Sequence, residues 1–269
     1  MGAVDQMRRM LFATVLALSV LVVGEAQVMG AAHVRGIAET TLAALAPEGY
    51  RPAKHIPWKA EPGGTDVRIA AFSDAAVSDA DDETLPSKPV VLGLLVWDGK
   101  WTLRDTVLPH YNTGTSGEEW PNYFTDLDQV EVGTQKLILL RTTVFGGGSG
   151  SLQYFDFYDV DGNRLSLIKS FAHGRFESYY FALYEKDVYD AALACRRGER
   201  HGKSFVYTCY LQVTRFGFDG HSLIPTGTER LAERRGNRFL EDSYRFLSVK
   251  KALRNGEIFA HKEGAKPRL

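Results

Sequence analysis

Four aspartates stand in two close pairs, Asp126 and Asp128 in "DLD", and Asp159 and Asp161 in "DVDGN". Carboxylates at alternate positions serve two chemistries. They ligate calcium when oxygen donors recur as D-x-[DN]-x-[DN]-G and a distant Glu closes the loop. They hydrolyse glycosidic bonds when a cleft pushes their pKa values apart. In "DVDGN" Gly162 arrives two residues early for a calcium loop, and no Glu follows until Glu177. The spacing predicts a tight turn instead, with Asp161-Gly162 at its corner and Asp159 facing Arg164 across the hairpin. Asp126, Asp128, Asp159 and Asp161 are weak metal candidates, and no metal or cofactor is expected. For hydrolysis, Asp126 or Asp128 would need Glu118 or Glu119 brought beside it by the fold.

Other chemistry is scarcer. "FGGGSGSLQ" (145–153) lacks the glycine at 151 that a nucleophile elbow around Ser149 requires, and no helix pattern follows it. It also lacks the Gly-Lys-Ser/Thr ending of a phosphate loop, and reads as a loop joining two strands. The seven histidines form no H-x-H or H-E-x-x-H set, so nothing local argues for zinc. "PHYNTGTSGEEWPNYF" (109–124) gathers His110, Tyr111, Trp120 and Tyr123 in a polar, Gly/Pro-rich segment. Such rings either fold back onto a sheet as local core or form a platform for a protein or carbohydrate ligand. "FESYYFALY" (176–184) reads as a core strand.

Arg8 and Arg9 precede the uncharged run "MLFATVLALSVLVVG" (10–24), and small residues follow it. As a helix this run spans roughly 22 Å, short of a ~30 Å bilayer core. It is expected to be a secretory signal peptide within residues 1–32, leaving no membrane span after cleavage, which places the protein in the periplasm or outside the cell. The net charge of −1 offers no basic stripe for nucleic acid. Cys195 and Cys209 close a hairpin with equal arms about Gly202. Facing residues on paired strands lie within disulfide reach, and an oxidising compartment favours the bridge.

Residues 33–65 read as a short helix (34–46) and an extended connector, "YRPAKHIPWKAEPGG". Residues 66–228 read as strands, and 229–269 as a C-terminal segment with a weak helical pattern at 242–256. "VVLGLLVW" meets "WTLRDTVL" across Asp98-Gly99, "LQYFDFYDV" meets "NRLSLIKSF" across Asp161-Gly162, and "CYLQVTRFGF" meets "HSLIPT" across Asp219-Gly220. Asp-Gly between β-rich runs is a strong hairpin signal, because a two-residue type I′ turn needs φ > 0 at both positions. The three glycines fall 63 and 58 residues apart, the mark of a repeated supersecondary unit. The expected fold is mainly β: antiparallel hairpin repeats, propeller-like or an open curved sheet, with a short N-terminal helix.

The stretch 122–162 resembles the unit of exported bacterial proteins with FG-GAP/VCBS-like, propeller-type β repeats: an acidic "DLD" turn, a strand, a glycine-rich gap and an aromatic strand ending in "DG". In that resemblance the family's calcium motif falls on Asp126 and Asp128, and Gln129 departs from it. The expected function is an exported, non-catalytic binding protein that recognises an envelope component or another exported protein. A hydrolase with dispersed carboxylates and a periplasmic inhibitor or immunity-like protein are the alternatives.

Overall fold

The computed structural model describes residues 36–58, 65–77, 86–109, 122–145, 151–174, 180–201, 204–236 and 248–259. Residues 1–32, read from the sequence as a signal peptide, lie outside them, and no described helix is long and apolar enough to cross a membrane. The described strands are β1 (Tyr50–Pro57), β2 (Val67–Asp74), β3 (Val91–Trp97), β4 (Trp101–Val107), β5 (Asn122–Val132), β6 (Gln135–Phe145), β7 (Ser151–Asp161), β8 (Arg164–Gly174), β9 (Phe181–Tyr184), β10 (Asp187–His201), β11 (Ser204–Phe218) and β12 (Leu223–Gly236). Each strand pairs with its chain neighbour, giving three four-stranded antiparallel sheets: β1–β4, β5–β8 and β9–β12. The architecture is mainly β with open sheets, as the repeated hairpins predict.

Apolar runs such as "VLGLLV" and "LILL" do not alternate with polar residues, because both faces of these sheets are covered. Ile69, Leu92, Leu94 and Val96 of the first sheet share a core with Leu127, Ile138, Leu140 and Tyr158 of the middle sheet. The opposite face of the middle sheet, with Leu137, Leu139, Phe155, Phe157 and Phe171, packs on Val188, Phe216 and Leu223 of the third. Helices close both ends of the stack. The N-terminal helix (Glu39–Leu45) sets Leu42 on Ala70, Phe72, Val91 and Leu95. The C-terminal helix (Val249–Arg254) sets Val249, Ala252 and Leu253 on Tyr189, Leu211 and Val213. Its cap is Ser248, whose hydroxyl accepts from the Lys251 amide, while Asp242, where the helical pattern of the sequence begins, lies outside the described residues.

All three Asp-Gly hairpins join the third and fourth strands of their sheets, which is the repeat the glycine spacing reports. Their turns differ from the expected two-residue type I′ form. Trp97 pairs with Trp101 and Phe218 with Leu223, so these loops are longer. Asp161 pairs with Arg164, placing the third turn at Gly162-Asn163, one residue later than the Asp-Gly pattern suggests. Gly162 has φ +59 and Asn163 has no positive φ, and a turn with φ > 0 at its first central position puts the glycine there. Asp159 therefore faces Ser166 rather than Arg164, and its carboxylate accepts from the Val160 amide at 2.8 Å. The turn with positive φ at both centres is Glu185-Lys186 (φ 46 and 66), between β9 and β10.

Other boundaries also move. "YRPAKHIP", read as a connector, is β1 and pairs with β2. The strands thus run from Tyr50 to Gly236, beyond 66–228 at both ends. "DLD" lies inside β5 and is not a turn. Only Phe181–Tyr184 of "FESYYFALY" is described as strand. In the β10–β11 register Cys195 stands directly opposite Cys209, as hairpin symmetry predicts. Cys209 is buried, and no free cysteine occurs among the described residues.

Two glycines separate backbone strain from crowding. A Cβ on Gly162 would meet nothing within 4 Å, whereas one on Gly93 would come within 2.8 Å of both Leu103 and Phe72. Gly162→Ala is expected to cost about 1 kcal/mol through its φ alone. Gly93→Ala is expected to cost about 2 kcal/mol or more, since two packed side chains must shift. Urea unfolding of both variants measures the order; a smaller loss at Gly93 would mean that this face of β3 is loosely packed.

Candidate functional site

The cross-strand register arranges the middle sheet's third-sheet-facing side in rows. Phe155 and Phe171 lie in one row with Asp126 and Arg141, and both rings pack toward the third sheet. The neighbouring row is Tyr123, Thr143, Gln153 and His173. Strand alternation puts both rows on one face. Tyr123, Thr143 and Gln153 are half-buried, while His173 is buried. Burial pushes the Tyr123 phenol above its ordinary value. At the end of the row His173 Nε2 stands 2.6 Å from Asp190 Oδ1 on β10, tying the middle sheet to the third.

Beside these rows lies a cavity of about 340 Å³. Arg141, Gln153 and Phe155 line it from the middle sheet, Phe181 and Leu183 from β9, and Lys250 from the C-terminal helix. Phe155 and Phe181 stack with centroids 4.1 Å apart and planes at 21°, so its inner wall is aromatic. A volume of a few hundred Å³ with apolar walls and a few polar groups is the ordinary form of a small-ligand pocket.

One rim of the cavity is an ion cluster. Lys54 Nζ of β1 donates to Asp126 Oδ1 at 2.7 Å and to Asp128 Oδ1 at 3.4 Å. Arg141 Nη2 donates to Asp126 Oδ2, and to Asp128 Oδ2 at 2.8 Å. Two cations thus face two carboxylates. Burial opposes the charged form of Asp126, but the Lys54 hydrogen bond, the Leu127 amide and the charges of Arg141 and Lys54 outweigh it. The Asp126 carboxyl is held below the usual range. The same side-chain hydrogen bond leads the effects that hold Lys54 above its ordinary value.

Of the residues singled out from sequence, Tyr123 falls in the polar row, and Asp126 and Asp128 fall on the rim. Asp159 and Asp161 sit at the β7–β8 turn, with their own hairpin roles. His110, Tyr111, Trp120, Glu118 and Glu119 lie outside the described residues. Among the described residues no three of His, Cys, Asp or Glu gather as a metal-binding group. Sequence reasoning missed Lys54, Arg141, Gln153 and Lys250, and it missed the His173–Asp190 pair. Lys54 and Asp126 are 72 residues apart, a separation no local motif spans. Arg141 alone left a trace, as a charge interrupting "LILLRTTV".

Comparison with known protein families, curated proteins and solved structures finds no match. The site must therefore be judged by its own chemistry.

The cluster has a pH signature. A carboxyl whose pKa is lowered by folding stabilises the fold fully above its unfolded value of about 4, and loses that contribution as pH falls through the folded value. Arg141→Met is expected to cost about 1 kcal/mol at pH 7, a figure discounted for partial exposure. The gap to wild type should narrow as pH drops below about 4. Denaturant midpoints between pH 7 and pH 2.5 measure this, and a gap that widens on acidification would contradict the assignment. Because two cations already neutralise the pair, millimolar calcium is expected to leave the melting temperature unchanged. A rise of several degrees that Asp126→Asn removes would show a metal site instead.

Proposed function

We propose that the chain is an exported, non-catalytic binding protein that recognises an envelope component or another exported protein. The observation that carries this reading is the half-buried row Tyr123–Thr143–Gln153 beside the cavity. It offers a phenol, a hydroxyl and a carboxamide, which hydrogen-bond without titrating near neutral pH. β5 begins at Asn122, directly after the segment holding His110, Tyr111 and Trp120. Rings of those types suit a protein or carbohydrate ligand.

The hydrolase alternative is less well supported. A general acid in such an enzyme needs a raised pKa, whereas Asp126 is lowered and ion-paired to Lys54 and Arg141. Export rests on the Arg8-Arg9 segment and the apolar run behind it. Cysteine placement fits it: a Cys195–Cys209 bridge, which the β10–β11 register permits, would be maintained in an oxidising compartment.

Two measurements test the proposal. Peptide mapping of exported protein without reductant is expected to recover residues 195 and 209 in one cross-linked species; recovery of both thiols free would remove the bridge. Co-sedimentation with purified envelope material is expected to show binding that Tyr123→Ala and Gln153→Ala each weaken severalfold with melting unchanged. Binding indifferent to both substitutions would place the recognition surface elsewhere.

A further inference from the structure

We propose that the cavity between the middle and third sheets is a ligand site for a small amphipathic monoanion, an apolar body carrying one carboxylate. The inference deepens the binding reading above and rests on it.

Charge identifies the anion. Around the cavity, Asp126 and Asp128 are balanced by Lys54 and Arg141 through the contacts already described. Lys250 is different. Its side chain lines the same cavity from the C-terminal helix, is exposed, and has no ion-pair or hydrogen-bond partner among the described residues. Among the described residues the lining therefore carries one cation in excess, on an exposed side chain. A carboxylate held there by Lys250 would point its remainder inward, along the wall built by Phe155, Phe181, Leu139 and Leu183. The stacked Phe155–Phe181 pair favours a flat or extended apolar body. Gln153 adds a carboxamide that donates as well as accepts, so it serves a carboxylate or a neighbouring carbonyl.

A dianion fits less well, because Arg141 is spent on two aspartates, and a second negative charge would lie against Asp128. A cation would meet Lys250 at the entrance. A neutral apolar ligand would fill the wall and leave the lysine unused. The monoanion is the class that uses both halves of the lining.

The test uses isothermal titration of the full exported chain with 4-phenylbutyrate and its uncharged counterpart 4-phenylbutyramide. Wild type is expected to bind the acid about fivefold more tightly than the amide, the ratio one partly exposed ion pair supports. Lys250→Gln should erase that preference, and Lys250→Arg should keep it. Leu183→Trp, which fills the cavity, should abolish binding of both compounds with melting retained. Equal affinity for acid and amide, no binding of either by wild type, or a preference that survives Lys250→Gln each overturns the proposal. A peptide ending in phenylalanine, with its terminal carboxylate free or amidated, separates the two sources of the chemistry. Tighter binding of the free-ended peptide than of phenylbutyrate assigns the site to a chain terminus, and weaker binding assigns it to a free acid. Failure of both probes, with envelope binding still sensitive to Tyr123→Ala, would sink the cavity assignment and leave the binding function standing.

Discussion

The two central strands of the middle sheet are apolar on both faces, and the rest of the molecule follows from that. Its strands carry Ile138 and Leu140 toward the first sheet and Leu137 and Leu139 toward the third, all four buried. A single four-stranded meander cannot cover itself, so apolar surface on both faces recruits a neighbour on each side. Those neighbours then have outer faces of their own. The helices at Glu39–Leu45 and Val249–Arg254 cover them, and among the described residues the stack ends there. Open sheets stacked in series, capped by helices, solve the same burial problem that a closed ring of sheets solves by circularity.

Face-to-face apolar packing is non-directional, so polar contacts at the sheet margins set how the layers align. Between the first and middle sheets, Lys54 reaches Asp126 and Asp128, the Val90 amide donates to Asn122, and the Leu165 amide donates to Asp105. Between the middle and third sheets, the Gly133 amide donates to the Lys186 carbonyl, Lys186 pairs with Glu131, and His173 meets Asp190. Glu185-Lys186 adopts left-handed backbone without glycine, and its neighbours in the middle sheet hold it in place. The candidate site arises at such a margin. There the apolar contact between sheets gives way to Gln153, Thr143 and Tyr123, and the layers leave a cavity.

Much of this was legible in the sequence, and the losses have identifiable causes. Asp-Gly at 98–99, 161–162 and 219–220 marked one hairpin per sheet, because glycine at positive φ is a local requirement. Turn length was not legible, since it depends on how the whole register settles. A bulge between Phe157 and Tyr158 shifts β7 against β8 in a way no turn motif reports. β1 was obscured by Pro52 and Pro57, which an edge strand tolerates. The β5–β6 turn carries Gly133-Thr134 in place of Asp-Gly, and so escaped the same search. At the site, Asp126 and Asp128 stood out by spacing, but their ion partners were not legible, because these come from another sheet and from the next strand. Gln153 and Lys250 had no local signature at all, since only the stacking of layers brings them to one cavity.

Adjacent residues on β6 give the most direct test of a middle sheet buried on both sides. Leu139 and Leu140 point to opposite faces, one toward the third sheet and one toward the first. The account predicts that Leu139→Ala and Leu140→Ala each lower the unfolding free energy by about 2–5 kcal/mol, as deep core truncations do. A loss confined to one of them, with the other within about 0.5 kcal/mol of wild type as at a solvated position, would show that one face of the sheet is open and that the three layers do not stack.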